Sequence, residues 1–148
     1  MQKLMRAGLA FMAAAVVTAC VTAASSATSP QAIISARFAA INRHDVDAVT
    51  ALYALDATLT ASDFCAPRHG RADVARTLHG ILQLVNDLSA DVESMVAQGD
   101  RVAVRFVVRG TVGGHAIAIP IMDFYTVRNG LIVADDGIFD TGGRPCSP

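Results

Sequence analysis

Asp123 lies in a run that otherwise has the composition of a buried strand, His115-Ala-Ile-Ala-Ile-Pro-Ile-Met-Asp-Phe-Tyr-Thr-Val127. A carboxylate is costly to bury unless it is paired, hydrogen-bonded or protonated. Asp123 is therefore either a hydrogen-bonded structural group or an acid that works in a pocket. Strand alternation places Tyr125 on the same face, where its hydroxyl either donates to a ligand or packs in the core. Together the two side chains could carry general acid/base chemistry.

Three further residues are candidates for ligand contacts. The spacing of apolar residues places Phe38 and Tyr53 on helix faces, and Asp63 lies in a loop, as a turn residue or as an acid near the pocket. His79 and His115 stand apart from other metal-ligating residues, so we expect no metal site. The sequence contains no phosphate loop, dinucleotide fingerprint or nucleophilic-serine motif, and we expect no cofactor.

The first 27 residues have the layout of an export signal. Lys3 and Arg6 precede an apolar run at 9–17 that is too short to span a bilayer comfortably, and small residues follow. This layout predicts that the rest of the chain is periplasmic or secreted.

Two processing sites fit the end of this leader. Residues 17–20 resemble a lipobox, in which Cys20 would be lipidated and would anchor the protein to a membrane. Residues 25–27 instead offer an ordinary small-residue cleavage site. In either case residues 28–148 are long enough for one domain and too short for two.

Charge and cysteine content restrict what this domain could do. Without Lys3 and Arg6 the chain keeps 10 basic and 13 acidic residues, a net charge of −3, and all its cations are arginine. Scattered arginines on an acidic chain argue against nucleic acid as a partner, and the lack of lysine excludes Schiff-base chemistry. Cys65 and Cys146 remain as an even pair in an oxidising compartment, which predicts a disulfide.

The elements that must position these residues follow from capping and periodicity. Ser29-Pro30 begins a first helix, Asp45 caps a second helix that carries Tyr53, and apolar spacing predicts a third over 74–85. After these helices, apolar and polar residues alternate with a period of two, which is typical of β-strands. Strands are predicted at 57–60, 91–98, 101–111, 115–127 and 131–139. This order predicts an α+β domain in which an antiparallel meander follows three helices.

Four segments, 47–58, 69–74, 101–111 and 123–132, followed by Phe139-Asp140, resemble the nuclear transport factor 2-like superfamily and its SnoaL-like families. The resemblance covers nearly all of residues 28–148. It implies a curved antiparallel sheet wrapped as a cone around three N-terminal helices, with a hydrophobic ligand cavity between them.

The resemblance also implies roles for particular residues. An acid at the position of Asp123 points into the cavity in this family and acts as a general acid/base or as a neutral hydrogen-bond donor. Arg105 and Arg109 share the opposite strand face from the apolar residues, which predicts an outer surface or a homodimer contact through the sheet.

The catalytic sets of known members are incomplete in this chain. Phe38 stands where ketosteroid isomerases carry the oxyanion-hole tyrosine, and Ala61 stands where they carry the base aspartate. Ala103 breaks the Arg-x-Asp pair of limonene-epoxide-hydrolase-like members. Their last-strand aspartate falls near Gly137, although the acidic pair Asp135-Asp136 lies close by.

Two functions therefore remain open. One is an exported module that binds a small hydrophobic molecule, and the broken catalytic sets favour it. The other is a cofactor-independent isomerase, cyclase or dehydratase that uses Asp123 with Tyr125 on a small hydrophobic carbonyl compound. A second titratable group within hydrogen-bond reach of Asp123 would favour the enzyme, and a lone acid among apolar walls would favour binding.

Overall fold

The computed structural model describes residues 28–146, which form three helices and six strands. The helices are α1 (Pro30–Asn42), α2 (Val46–Ala51) and α3 (Gly70–Leu84). The strands are β1 (Tyr53–Ala61), β2 (Arg68–His69), β3 (Ser89–Gln98), β4 (Arg101–Val112), β5 (His115–Arg128) and β6 (Leu131–Ile138). The expected leader, with Cys20 and its two processing sites, lies outside the described residues.

All six strands belong to one curved sheet in the order β2-β1-β6-β5-β4-β3, with the helices packed against it. Strands β3 to β6 form the predicted antiparallel meander, and β1 pairs in parallel with β6. Asn129 and Gly130 close the β5–β6 turn with φ of 51° and 78°. This left-handed conformation suits Asn-Gly in a tight hairpin. The α+β fold predicted from the sequence is confirmed.

Side-chain caps determine where the first two helices begin. The Ser29 hydroxyl accepts from the Ala32 amide at 3.2 Å, and Pro30 occupies the first turn. The Asp45 carboxylate accepts from the Ala48 amide at 3.0 Å. Each cap satisfies an amide that has no partner inside its helix. Both helix starts agree with the sequence prediction.

The core lies between α1 and the inner face of the sheet. Its large buried side chains include Ile34, Phe38, Val49, Tyr53, Val74, Val102, Val104, Phe106, Tyr125 and Ile132. Alternation along β4 places Val102, Val104 and Phe106 inward and leaves Arg101, Arg105 and Arg109 outward. Arg105 bonds Glu93 at 2.9 Å and Arg109 bonds Asp91 at 3.0 Å on that outer face, as their position predicted.

The end of α2 differs from the sequence prediction. The predicted helix carried Tyr53, but α2 ends at Ala51 and Tyr53 opens a strand that starts before the predicted 57–60. Tyr53 pairs with Ile132 of β6, and the Leu52 carbonyl accepts from the Ile132 amide at 2.8 Å. Pairing with a distant strand therefore overrides the local helical spacing, which the sequence pattern alone could not reveal.

Helix α3 matches its prediction less closely. It ends at Leu84, so Val85 of the predicted apolar positions lies just beyond it, and within the helix Ile81 is 40% exposed and only Val74 is buried. The preceding loop also contains β2, which pairs with β1. The short strand ties the loop to the sheet edge.

Cys65 and Cys146 are joined by a disulfide, with their Cα atoms 4.9 Å apart. The bond agrees with the pairing predicted from the sequence. It links the loop after β1 to the C-terminal segment, 81 residues away. None of the helices within residues 28–146 has the length and apolarity needed to cross a membrane.

Candidate active site

Asp123 and Tyr125 lie on the inner face of β5, where both are buried. Asp123 is 5% exposed and Tyr125 is 1% exposed. The Tyr125 hydroxyl donates a hydrogen bond to Oδ2 of Asp123. Strand alternation brings the two side chains to one side of the sheet, and the short distance between i and i+2 residues lets the phenol reach the acid. The chain thus buries an acid beside a donor that satisfies one of its oxygens.

A second buried group joins three other elements. Asp135 of β6 accepts from the Tyr53 hydroxyl at 2.5 Å and from Nη2 of Arg37 at 3.2 Å, both through Oδ2. Nε of Arg37 also donates to the Tyr53 hydroxyl oxygen at 2.6 Å. Helix α1, strand β1 and strand β6 each contribute one member. A buried ion pair of this kind needs its remaining polar atoms satisfied, and the Tyr53 hydroxyl serves both partners.

Arg37 connects the two groups. Its guanidinium carbon lies 4.9 Å from the ring centre of Tyr125, 5.9 Å from that of Tyr53 and 5.3 Å from that of Phe38. Cations within about 6 Å of an aromatic face are attracted to it. We refer to Arg37, Tyr53, Asp123, Tyr125 and Asp135 as the buried cluster.

Electrostatics separate the two acids of the buried cluster. Burial, followed by the charge of Asp135, raises the pKa of Asp123 to about 7, against the opposing effect of Arg37. Burial raises the pKa of Asp135 too, but Arg37 and the Tyr53 hydrogen bond act against it. Because Asp135 has both of these partners, it is the acid that holds the negative charge, and Asp123 is the one that takes a proton near neutral pH.

The phenols and the guanidinium are held in their ordinary protonation states. Burial raises the pKa of Tyr125 and of Tyr53 well above the usual value for a phenol. Burial disfavours the charge on Arg37, but the surrounding tyrosine and aspartate groups more than offset it and raise the pKa of Arg37. Asp123 and Asp135 are the two acids of the buried cluster, and burial raises the pKa of each.

Small residues on the neighbouring strands make room for the Asp123 carboxyl group. Gly137 of β6 pairs with Asp123 on one side and with Ala61 of β1 on the other. A Cβ atom at Gly137 would lie 2.9 Å from Oδ1 of Asp123 and 3.8 Å from the Ala61 side chain. The missing side chain at Gly137 therefore allows the carboxyl group its present position.

The model of the SnoaL-like domain family matches residues 34–134, which include every residue of the buried cluster except Asp135. The chain belongs to the SnoaL-like domain family. No curated protein matches its sequence.

Solved structures show the same fold for this SnoaL-like domain. IdmH, a putative polyketide cyclase from Streptomyces antibioticus, is 26% identical with a TM-score of 0.69, over 76% of this chain and 93% of that one. A hypothetical protein with a ketosteroid isomerase-like fold from Catenulispora acidiphila, solved in complex with trimethylamine, is 21% identical with a TM-score of 0.68, over 74% of this chain and 85% of that one. A nuclear transport factor 2-like protein of unknown function from Burkholderia pseudomallei is 20% identical with a TM-score of 0.70, over 76% and 92%.

The SnoaL-like domain brings most of the predicted site residues together. Asp123 and Tyr125 are hydrogen-bonded, and Phe38 stands edge-on to Tyr125 with ring centres 6.5 Å apart. Tyr53 joins them, although it comes from a strand and not from the predicted helix. Asp63 lies in the half-buried turn that follows β1.

Sequence reasoning did not select two members of the buried cluster. Arg37 follows Ile34 by three positions and precedes Phe38, so it lies on the apolar face of α1. A charged residue on such a face indicates a buried charge that needs a partner. The comparison with limonene-epoxide-hydrolase-like members points to Asp135 only as a neighbour of Gly137. Asp135 shares the inward face of β6 with Gly137, and that alternation could have selected it over Asp136.

The buried cluster lies in the region where the resemblance implies a ligand cavity. Its aromatic rings and guanidinium lie between α1 and the sheet. A groove of about 390 Å³ opens on the outer face of the sheet. Its lining includes Val96, Arg101, Ala103, Phe124, Thr126 and Asp136.

Proposed function

We propose that this SnoaL-like domain is a cofactor-independent enzyme that moves a proton on a small hydrophobic carbonyl compound, with Asp123 as the general acid/base. The observation that carries the proposal is the hydrogen bond between Tyr125 and Asp123 inside the buried cluster. An acid among apolar walls alone would have favoured a binding module. Asp123 instead has a titratable neighbour within hydrogen-bond reach, and Arg37 and Asp135 act on it electrostatically.

The proposed reaction begins with Asp123 ionised. Its carboxylate removes a proton from the carbon next to the carbonyl group, and the electron pair of that C–H bond moves to form C=C while the carbonyl oxygen becomes negative. Where the substrate has a C=C bond between its β and γ carbons, Asp123 then returns the same proton to the γ carbon, that C=C bond moves to the α,β position, and the carbonyl group reforms. A pKa of about 7 suits both steps, since a group that must accept and release a proton works best near the ambient pH.

The surroundings of Asp123 support this role. Tyr125 holds one carboxylate oxygen and orients the other, and Gly137 leaves space beside Oδ1. Asp123 and Tyr125 are 5% and 1% exposed, so a substrate reaches them only when the packing around the buried cluster opens. Such closed sites exclude water, which strengthens electrostatic effects on the developing charge.

Hydrogen–deuterium exchange tests the proposal without knowledge of the natural substrate. The probe is 2-tetralone in D₂O, whose α-protons are followed by NMR. We expect the protein to accelerate exchange over buffer and Asp123→Asn to lose roughly 100-fold or more of that acceleration. The matched control is Asp91→Asn, which changes an exposed acid paired with Arg109 on the outer face. Exchange no faster than in buffer, or equal in wild type and Asp123→Asn, would count against the enzyme.

The binding module remains a second candidate because of one feature of the site. Ala61, at the position of the base aspartate in ketosteroid isomerases, lies beside Gly137 and Asp123 and offers no second acid there. In that case the buried cluster would recognise a small hydrophobic molecule without converting it. Native mass spectrometry of the purified protein would detect a retained, unmodified compound, and the exchange experiment would show no catalysis.

We also propose that the domain works outside the cytoplasm, as a periplasmic or secreted protein, with or without a lipid on Cys20. The charged and apolar leader supports this, as does the Cys65–Cys146 disulfide, since such bonds persist in oxidising compartments. The intact mass of protein from its native host tests the proposal. We expect a chain that begins at Cys20 or a few residues later, and a mass that still includes Lys3 would exclude processing.

A further inference from the structure

Arg37 has one guanidinium nitrogen without a partner. Nε donates to the Tyr53 hydroxyl and Nη2 donates to Asp135, whereas Nη1 is buried and has no hydrogen-bond partner. Most buried donors in folded proteins are satisfied, and a buried charged donor left open is costly. This nitrogen is therefore a place where a ligand oxygen would complete the site.

The surroundings of Arg37 keep this open donor inside the domain. The residue is 8% exposed, its other two nitrogens are bonded, and the rings of Phe38, Tyr53 and Tyr125 lie within 6 Å of its guanidinium carbon. Because the guanidinium is planar and rigid, two bonds fix the direction of the third nitrogen. Nη1 cannot turn to solvent without breaking the ion pair with Asp135.

The charges around Arg37 are compatible with a bound anion. Arg37 faces Asp135 from β6, Tyr53 from β1, and Asp123 and Tyr125 from β5. Asp136 adds its charge from further along β6. One acid, Asp135, balances the guanidinium, and Asp123 is able to take a proton. A ligand anion at Nη1 would then meet a positive donor beside an acid that exchanges its proton near neutral pH.

We infer that Arg37 is a ligand-binding residue, and that the substrate is a small apolar carbonyl compound that also carries a carboxylate, one oxygen of which accepts from Nη1. The inference rests on the proposed function, because it names the class of substrate for the same site. The apolar body of the substrate would lie against Phe38 and Tyr125, while its carbonyl group reaches Asp123. Guanidinium groups suit this task because their hydrogen bonds to carboxylates are charge-assisted.

Calorimetry with a matched pair of ligands tests the inference. The probes are 2-naphthoate and 2-naphthamide, which have the same apolar rings and differ in the charge of one group. We expect the intact protein to bind the carboxylate roughly 10-fold to 100-fold more tightly than the amide, as charge-assisted hydrogen bonds do. The test variant is the double substitution Arg37→Met/Asp135→Asn, which removes both charges of the ion pair together. It should bind both probes within a few-fold of each other.

Two further variants test whether the preference for the carboxylate depends on the guanidinium group of Arg37. Arg105→Met removes an exposed arginine paired with Glu93 on the outer face, and it should keep the full preference for the carboxylate. Arg37→Lys keeps the charge but loses the planar donor set, and it should keep part of the preference. Circular dichroism melts would show that each variant is folded before its binding is compared.

The outcomes separate the inference from the proposed function. Equal affinity for the two probes, no binding of 2-naphthoate at millimolar concentration, or a preference that survives in the double variant would overturn the inference. Asp123-dependent exchange on 2-tetralone would leave the proposed function standing in that case. Conversely, a carboxylate preference that depends on Arg37, without any proton exchange, would support the inference and reject the enzyme.

Discussion

The proton on Asp123 links the stability of this protein to the chemistry proposed for it. In the unfolded chain this carboxyl group ionises near pH 4, but burial and the charge of Asp135 raise its pKa to about 7 in the folded domain. Between these two values the folded protein binds a proton that the unfolded chain does not. Stability due to this group is therefore full at low pH and is lost as the pH rises through 7.

Asp123→Asn should remove this pH dependence. The shift from 3.8 to about 7 corresponds to a loss on the order of 4 kcal/mol as the pH rises across that window, and an amide of similar size does not ionise. We expect the melting temperature of wild type to fall between pH 5 and pH 8, and that of Asp123→Asn to change less. Thermal melts and NMR titration of the Asp123 carboxyl measure both quantities. A lowered pKa in wild type, with a large melting loss in the variant, would identify an ionised structural carboxylate instead.

Pairing between strands brings the residues of the site next to one another. Asp123 sits opposite Gly137 because the β5–β6 register aligns them, and Ala61 reaches the same point through the parallel pairing of β1 with β6. Helix α1 contributes Arg37 from above the sheet. The site is thus assembled by elements that are far apart in the chain, and each is held by backbone bonds as well as by side chains.

Gly137→Ala should disturb the site more than the fold. The new methyl group would lie 2.9 Å from Oδ1 of Asp123, so the carboxyl group must rotate away from Tyr125. We expect exchange on 2-tetralone to fall by about 10-fold or more, because the acid leaves its productive position. The matched control is Gly80→Ala in α3, where a Cβ atom meets nothing within 4 Å and should add roughly 0.5 to 1 kcal/mol of stability. Unchanged exchange in Gly137→Ala would show that the Asp123 position is not critical.

The disulfide stabilises the domain as a whole. It closes a long loop, since Cys65 and Cys146 are separated by 81 residues. In the chain-entropy account such a cross-link restricts the unfolded chain and stabilises the fold by roughly 4 kcal/mol at most. Reduction, or the double substitution Cys65→Ser/Cys146→Ser, should lower the urea midpoint accordingly. The double variant is its own control, because reductant should not change its midpoint; an equal response in both proteins would contradict the prediction.

The outer face of the sheet is the surface where the predicted homodimer would form. The groove there exposes Val96 of β3 and Phe124 of β5, at 69% and 45%, and its lining also includes Arg101 of β4 and Asp136 of β6. A two-fold axis would bring the arginine of one copy near the aspartate of the other, as self-complementary interfaces require. A second copy of this chain is therefore the occupant we expect.

Phe124→Glu tests this prediction. It places a charge at the centre of the groove and should convert a dimer to a monomer, as measured by size-exclusion chromatography with light scattering. Leu55→Glu is the control, because Leu55 is an exposed apolar residue on β1, 77% exposed, and does not line the groove. Wild type that remains monomeric up to its solubility limit would refute the dimer.

Local sequence patterns determined much of this protein. Caps at Ser29 and Asp45 placed two helix starts, alternation placed Asp123 and Tyr125 on one face, and the two cysteines of the domain identified their own pairing. These features depend on residues that are close in the chain or, for the disulfide, on the number of cysteines in the domain. The ordered motifs of the SnoaL-like resemblance extended them to the whole fold.

Only the tertiary structure decided how the buried cluster is assembled. Tyr53 leaves its predicted helix because β6 offers it a partner 79 positions along the chain, and Asp135 becomes an ion-pair partner because Arg37 of α1 packs over it. Whether a polar residue is buried with a partner depends on contacts between distant elements, and no local period encodes them. A charge on the apolar face of α1 is a local sign of this kind, but only the packing of α1 against β1, β5 and β6 shows which partners Arg37 has.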